Sequence, residues 1–91
     1  MPPIVIIITK LMPESLDTDL QAIKTEAETR MKALGGNNIS ITEKPIAFGL
    51  KSVHVKTDMP EEKGTDAVEA QLASIPGVSS ATIEDYRRAF G

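Results

Sequence analysis

A run of five β-branched residues, Ile4-Val5-Ile6-Ile7-Ile8, opens the patterned part of the chain. Branching at Cβ favours a pleated strand, and an unbroken apolar run predicts a strand that is central or covered on both faces, stopped by Pro13. Ser15, Asp17 and Asp19 follow, all suited to capping or charging a helix N-terminus. Leu20, Ile23, Ala27, Met31 and Leu34 then recur at steps of three and four, which marks one buried helix face. Glu26 with Arg30 and Glu28 with Lys32 form i,i+4 pairs on the opposite, wet face, each contributing about 0.3–0.5 kcal/mol. Gly35-Gly36-Asn37-Asn38 ends the helix in residues that accept positive φ.

Beyond the helix the period changes to two. Ile39, Ile41 and Glu43 alternate with Ser40 and Thr42, the pattern of a half-buried strand limited by Pro45. Gly49 marks a turn, and a third strand is expected over Leu50–Thr57, with Val53 and Val55 facing in and Ser52, His54 and Lys56 facing water. Asp58-Met59-Pro60-Glu61-Glu62-Lys63-Gly64 reads as an acidic, mobile loop. Thr65 and Asp66 open a second helix whose buried stripe is Val68, Leu72 and Ile75, closed by Pro76-Gly77. A last strand is expected over Val78–Arg87, with Ala81 and Ile83 inward.

Strand–helix–strand, repeated, is the α+β, ferredoxin-like βαββαβ order. Two helices on one face of a four-stranded antiparallel sheet bury both helical stripes at once, and the other face, with Ser52, His54 and Lys56, is free to meet water. Residues 1–91 are expected to form one domain, since this length supports one modest core.

Composition narrows the chemistry. Aromatic residues make up only 3% of the chain, so the core must be built from Ile, Val, Leu, Met and Ala. A net charge of −3 opposes a general nucleic-acid binder, which carries a basic face. With no cysteine there is no disulfide, thiolate metal site or cysteine nucleophile. The apolar run is too short to span a bilayer and lacks a basic leader, so no membrane association is expected and the chain is read as cytoplasmic.

Catalytic equipment is sparse. The single His54 has no second histidine near it and reads as a polar residue on the wet face of a strand. No serine stands in a nucleophile-elbow context, and Gly35-Gly36 follows a helix instead of opening one, so there is neither a triad nor a phosphate loop. Asp58, Glu61 and Glu62 fall short of the ligand number and spacing of a calcium loop and read as solvated. No metal and no bound cofactor is expected. An RNA-binding sheet would need stacking aromatics where Ser52, His54 and Lys56 stand. An acylphosphatase-like cradle would need an arginine within Leu11-Met12-Pro13-Glu14-Ser15, which has none.

Two places are odd in purely structural terms. Pro45-Ile46-Ala47-Phe48-Gly49-Leu50-Lys51 sets a large aromatic beside a glycine in a sheet connection. Phe48 either packs under its own loop or stands out as an anchor for a partner's pocket, where a buried aromatic contributes about 2 kcal/mol or more. Tyr86-Arg87-Arg88 places two guanidinium groups near the end of an acidic chain. They are either a solvated tail or cations delivered to an anionic or metal-containing site on a partner.

These segments carry a resemblance. Pro45-Ile46-Ala47-Phe48-Gly49-Leu50-Lys51 closely resembles the signature of the archaeal elongation factor 1-beta family, and is similar to the Gly-aromatic-Gly-Ile-Lys stretch of the eukaryotic exchange domain. Leu11-Met12-Pro13-Glu14-Ser15, Lys63-Gly64-Thr65-Asp66, Pro76-Gly77-Val78 and Arg87-Arg88 resemble further family segments, in order along essentially the whole chain. The resemblance implies the same ferredoxin-like fold. It implies a guanine nucleotide exchange factor without covalent chemistry, acting on the translation elongation GTPase (elongation factor 1-alpha type) that carries aminoacyl-tRNA, with no direct contact to nucleic acid. The loop aromatic would enter a pocket of the GTPase and shift elements near its metal, and a basic residue near the C-terminus would reach the magnesium region. Those roles fall on Phe48, with Gly49 and Lys51 beside it, and on Arg88, with Arg87 as the alternative. Ala47 replaces a glycine of the eukaryotic motif, and Arg stands where the eukaryotic relatives end in Lys. The main rival is a small-ligand-binding regulatory module of the same fold, separable by a pull-down with the GTPase.

Overall fold

A computed structural model describes residues 3–90, with Phe90 as backbone alone and Gly91 outside the described residues. Six main elements follow one another: β1 (Ile4–Pro13), α1 (Leu20–Ala33), β2 (Asn37–Pro45), β3 (Lys51–Pro60), α2 (Gly64–Ala73) and β4 (Val78–Phe90). One-turn 3-10 segments, Ala47–Gly49 and Glu61–Lys63, lead into β3 and α2. The strands form one antiparallel sheet in the order β2-β3-β1-β4. The architecture is the ferredoxin-like α+β fold read from the chain, and the β-branched run is indeed a central strand.

Local chemistry explains the element ends. Of the three candidate caps, Asp19 does the capping: its carboxylate accepts from the backbone N–H of Gln21 and Ala22 at 3.0 and 3.2 Å, an arrangement worth about 1 kcal/mol. At the other end of α1, Gly36 donates its N–H to the Met31 carbonyl at 2.8 Å. A Cβ on Gly36 would lie 2.6 Å from Thr57 Oγ1 and 2.9 Å from Met31 O, so only glycine lets the chain enter β2 so close to β3. Both i,i+4 pairs form, Arg30–Glu26 at 2.9 Å and Lys32–Glu28 at 3.6 Å. Arg30 also donates to Gln71 O and Ser74 Oγ, tying α1 to the C-terminal end of α2, where a cation complements the helix dipole.

The core lies between the helices and one sheet face. Val5, Ile7 and Leu11 of β1 and Val53, Val55 and Met59 of β3 meet Ile23, Ala27 and Met31 of α1 and Val68 and Leu72 of α2, all fully or almost fully buried. Ile75 and Val78 join it, and Ala81 and Ile83 pack on its flank.

As expected, β1 ends at Pro13, which needs no ladder donor at a strand end. Three expectations need correction. First, Asp58-Met59-Pro60 is strand, not loop: these residues pair with Ile6, Val5 and Ile4, and Met59 is buried. Second, β4 extends to Phe90, beyond the expected end at Arg87. Third, Ser52 and His54 point away from the helices but are buried at 1% and 7% exposure; only Lys56 is exposed as expected. His54 meets a side chain brought in by an irregularity in β4. Ile8 pairs with Asp85 and Thr9 with Ile83, so Glu84 is an extra residue opposite neither. Such a bulge re-aims a side chain, and Glu84 reaches His54.

Candidate functional site

Phe48 stands out from the fold. It is 92% exposed, the most exposed large apolar side chain among the described residues. Its backbone is left-handed, φ 60 and ψ 31, and Gly49 follows at φ 78. For an L-residue that conformation costs about 1–2 kcal/mol. Two backbone hydrogen bonds close the loop around it, from Ile46 N–H to Leu50 O at 2.8 Å and from Leu50 N–H to Ala47 O at 3.2 Å. The ring therefore gains no packing, and the backbone is strained in holding it out. Of the two readings open in the sequence, packing under its own loop is excluded.

The surroundings of Phe48 are partly charged and partly apolar. Lys51, at the start of β3, lies 3.8 Å from Glu43, which also pairs with Lys24 of α1. The hydrogen bond from Lys24 holds the Glu43 carboxyl below its ordinary value, and the charges of Lys24 and Lys51 add to the effect against the opposing pull of desolvation. On the other side, a Cβ on Gly49 would lie 3.5 Å from Leu16 Cδ2, and Leu16 is itself 64% exposed. A cavity of about 190 Å³ opens there, between Leu16, Thr18 and Leu50. Nothing in the periodicity singles out Leu16; its proximity to Gly49 is tertiary.

Arg87 and Arg88 stand at the opposite end of the sheet. Lys51 and Met59 are eight residues apart on β3, and Met59 pairs with Val5, whose other neighbour is Arg88. At about 3.3 Å per strand residue the separation is about 26 Å, along a molecule whose longest extent is 44 Å. The structure thus brings Phe48, Gly49 and Lys51 together and sets both arginines apart from them. The two arginines also leave β4 on opposite faces. Arg87, on the open face, pairs with Asp85 at 2.9 Å and lines a depression with Ile6, Ile8 and Lys56. Arg88 lies on the helix-bearing face, its Nη2 2.8 Å from Glu61 Oε2.

His54 joins Ser52 and Glu84 in a chain of polar groups, buried at Ser52 and His54 and open to water at Glu84. Ser52 Oγ lies 2.7 Å from Nε2, and Glu84 Oε1 lies 2.7 Å from Nδ1. An ionised carboxylate only accepts, so with a neutral ring Nδ1–H donates to Glu84 and the Ser52 hydroxyl donates to Nε2. The connectivity is that of a nucleophile–base–carboxylate chain, but with Ser52 1% exposed the hydroxyl has no route to a substrate. The chain instead clamps β3 to β4 across β1.

Known proteins resemble this chain along most of its length. Residues 6–89 match the family described as the EF-1 guanine nucleotide exchange domain. The chain is 44% identical over 80 residues to elongation factor 1-beta of Methanothermobacter thermautotrophicus, covering 87% of this chain and 89% of that protein. It is 40% identical over 82 residues to that of Methanosphaerula palustris, with 89% and 92% covered. For that of Metallosphaera sedula the figures are 38% over 86 residues, with 92% and 93% covered. A match running through every element, from β1 to the arginines of β4, means that the chain belongs to the elongation factor 1-beta family of guanine nucleotide exchange domains.

Proposed function

We propose that this domain drives GDP-for-GTP exchange on the elongation GTPase that carries aminoacyl-tRNA by gripping it at two separated points, Phe48 at one end of the sheet and Arg88 at the other. The observation that carries this reading is the strained, water-exposed Phe48 ring, which neither core packing nor backbone preference accounts for; such strain concentrates at functional sites. No covalent step is required, and the domain works as a binding catalyst in the cytoplasm, as one folded unit.

An exchange factor acts by binding the nucleotide-free GTPase better than the GDP-bound one, and the acceleration is capped by that difference in affinity. Phe48, with Gly49 shaping its turn and Lys51 below it, would anchor the domain in an apolar pocket of the GTPase. The strand run of about 26 Å between Lys51 and Met59 keeps Phe48 away from whatever Arg88 touches, so one wedge does not perform both tasks. Arg88 would bring positive charge toward the partner's Mg²⁺ and weaken its hold by like-charge repulsion. Loss of that ion frees the phosphates it neutralises. Arg87, paired with Asp85 on the other face, is the alternative.

Stopped-flow release of a fluorescent GDP from the GTPase tests the proposal. Phe48→Ala should slow stimulated release tenfold or more in a domain that remains folded. Release at the wild-type rate would remove Phe48 from the mechanism.

A further inference from the structure

Arg88 is not free to act. Its guanidinium sits 2.8 Å from Glu61 Oε2, with the Arg88 side chain 57% and that of Glu61 33% exposed. The contact is a charge pair and not a formed hydrogen bond: Glu61 Oε2 is covered from water and accepts no hydrogen bond among the described residues. A carboxylate oxygen in that position depends on a nearby cation for compensation, and among the described residues Arg88 lies at ion-pair distance. Glu61 itself is pinned. Its N–H donates to Pro3 O at 3.1 Å, and the preceding Pro60 pairs with Ile4 in the sheet. If Arg88 swings toward a partner, the backbone of Glu61 stays behind with β1.

We propose that Glu61 is the positioning residue for Arg88, an electrostatic latch that holds the guanidinium back in the unbound domain and must be exchanged for an anionic group of the GTPase during engagement. This rests on the reading of Arg88 given above. The chemistry requires that the receiving site be at least as anionic as one carboxylate, which suits acidic or phosphate oxygens around a divalent cation. The latch also gives selectivity, because a neutral surface offers Arg88 nothing in return for leaving Glu61. A half-exposed ion pair of this kind shifts an equilibrium by about two- to fivefold, and that is the expected scale of the restraint.

The test is GDP release from the GTPase as a function of factor concentration, with the wild type, Glu61→Gln, Arg88→Ala and the double variant. Gln keeps the size of the side chain and removes its charge. Glu61→Gln should raise exchange at sub-saturating factor, the maximal rate divided by the half-saturating concentration, about two- to fivefold, and lose this advantage as salt is raised and screens the wild-type pair. In the Arg88→Ala background the same substitution should do nothing. If Glu61→Gln lowers that ratio or leaves it unchanged while Arg88→Ala slows exchange, the latch is wrong and the role of Arg88 survives. An equal effect of Glu61→Gln with and without Arg88 also overturns the latch. If Arg88→Ala exchanges as well as wild type, the reading of Arg88 fails first, and the latch falls with it.

Discussion

Replacing Phe48 by glycine separates what the ring does for the partner from what it does to its own domain. The native left-handed backbone costs an L-residue about 1–2 kcal/mol, a penalty glycine does not bear. Glycine adds freedom to the unfolded chain, which takes back about 0.4–1 kcal/mol. No packing is lost, because 92% of Phe48 is already in water. Phe48→Gly should therefore leave the fold unchanged or stabilise it by up to about 1.5 kcal/mol, and each kcal/mol moves Tm by about 4–8 °C in a domain of this size. Phe48→Ala keeps the Cβ and hence the strain, so it should not show this gain. Exchange should respond in the opposite way. Full burial of a phenylalanine ring contributes about 1.5–3 kcal/mol, nearly all of it still to be gained in the free protein. At about 1.4 kcal/mol per factor of ten, both variants should weaken productive engagement about 10- to 150-fold. The assays are thermal melting of the isolated domain and stopped-flow release of fluorescent GDP. A glycine variant less stable than the alanine variant would refute the strain argument. A glycine variant that stimulates release like wild type would refute the anchor.

Other outcomes follow from the same structure. Arg88→Ala should lower the maximal exchange rate more than binding; an equal loss in both would reduce Arg88 to a simple contact. Thr9 is fully buried with its hydroxyl unpartnered among the described residues, so Thr9→Val should raise unfolding free energy by about 1 kcal/mol in urea titrations; destabilisation would mean the hydroxyl is satisfied in solution. Gly36→Ala forces a Cβ to 2.6 Å from Thr57 Oγ1 and should cost about 1–3 kcal/mol, read as a fall in denaturant midpoint. The depressed Glu43 carboxyl contributes stability that is fully present above its ordinary value of 4.5 and is lost as pH falls through its lower folded value. Lys24→Met should flatten that acid limb in a pH series of melts, and an unaltered limb would remove the Lys24–Glu43 pair as its cause.

Much of this molecule was written in short-range pattern. The steps of three and four from Leu20 to Leu34, the alternation around Ile39 and Ile41, and the β-branched run of β1 are local consequences of helix and strand geometry, so element order, core face and fold class could be read directly. Phe48 could be marked as odd for a related reason: an aromatic beside a glycine in a sheet connection has no place in either period. Tertiary structure decided the rest. A period of two assigns Ser52 and His54 to the open face but cannot report that a bulge in β4 will bring Glu84 against His54, because the extra residue exists only relative to the pairing partner. Pairing also drew Asp58–Pro60 into β3, since a segment rich in turn residues is strand once β1 supplies the ladder. The same pairing of β1 with both β3 and β4 set Phe48 and Arg88 at opposite ends of the sheet and placed Glu61 beside Arg88. Distances between residues far apart in sequence are fixed by strand register, and register is a property of the folded sheet.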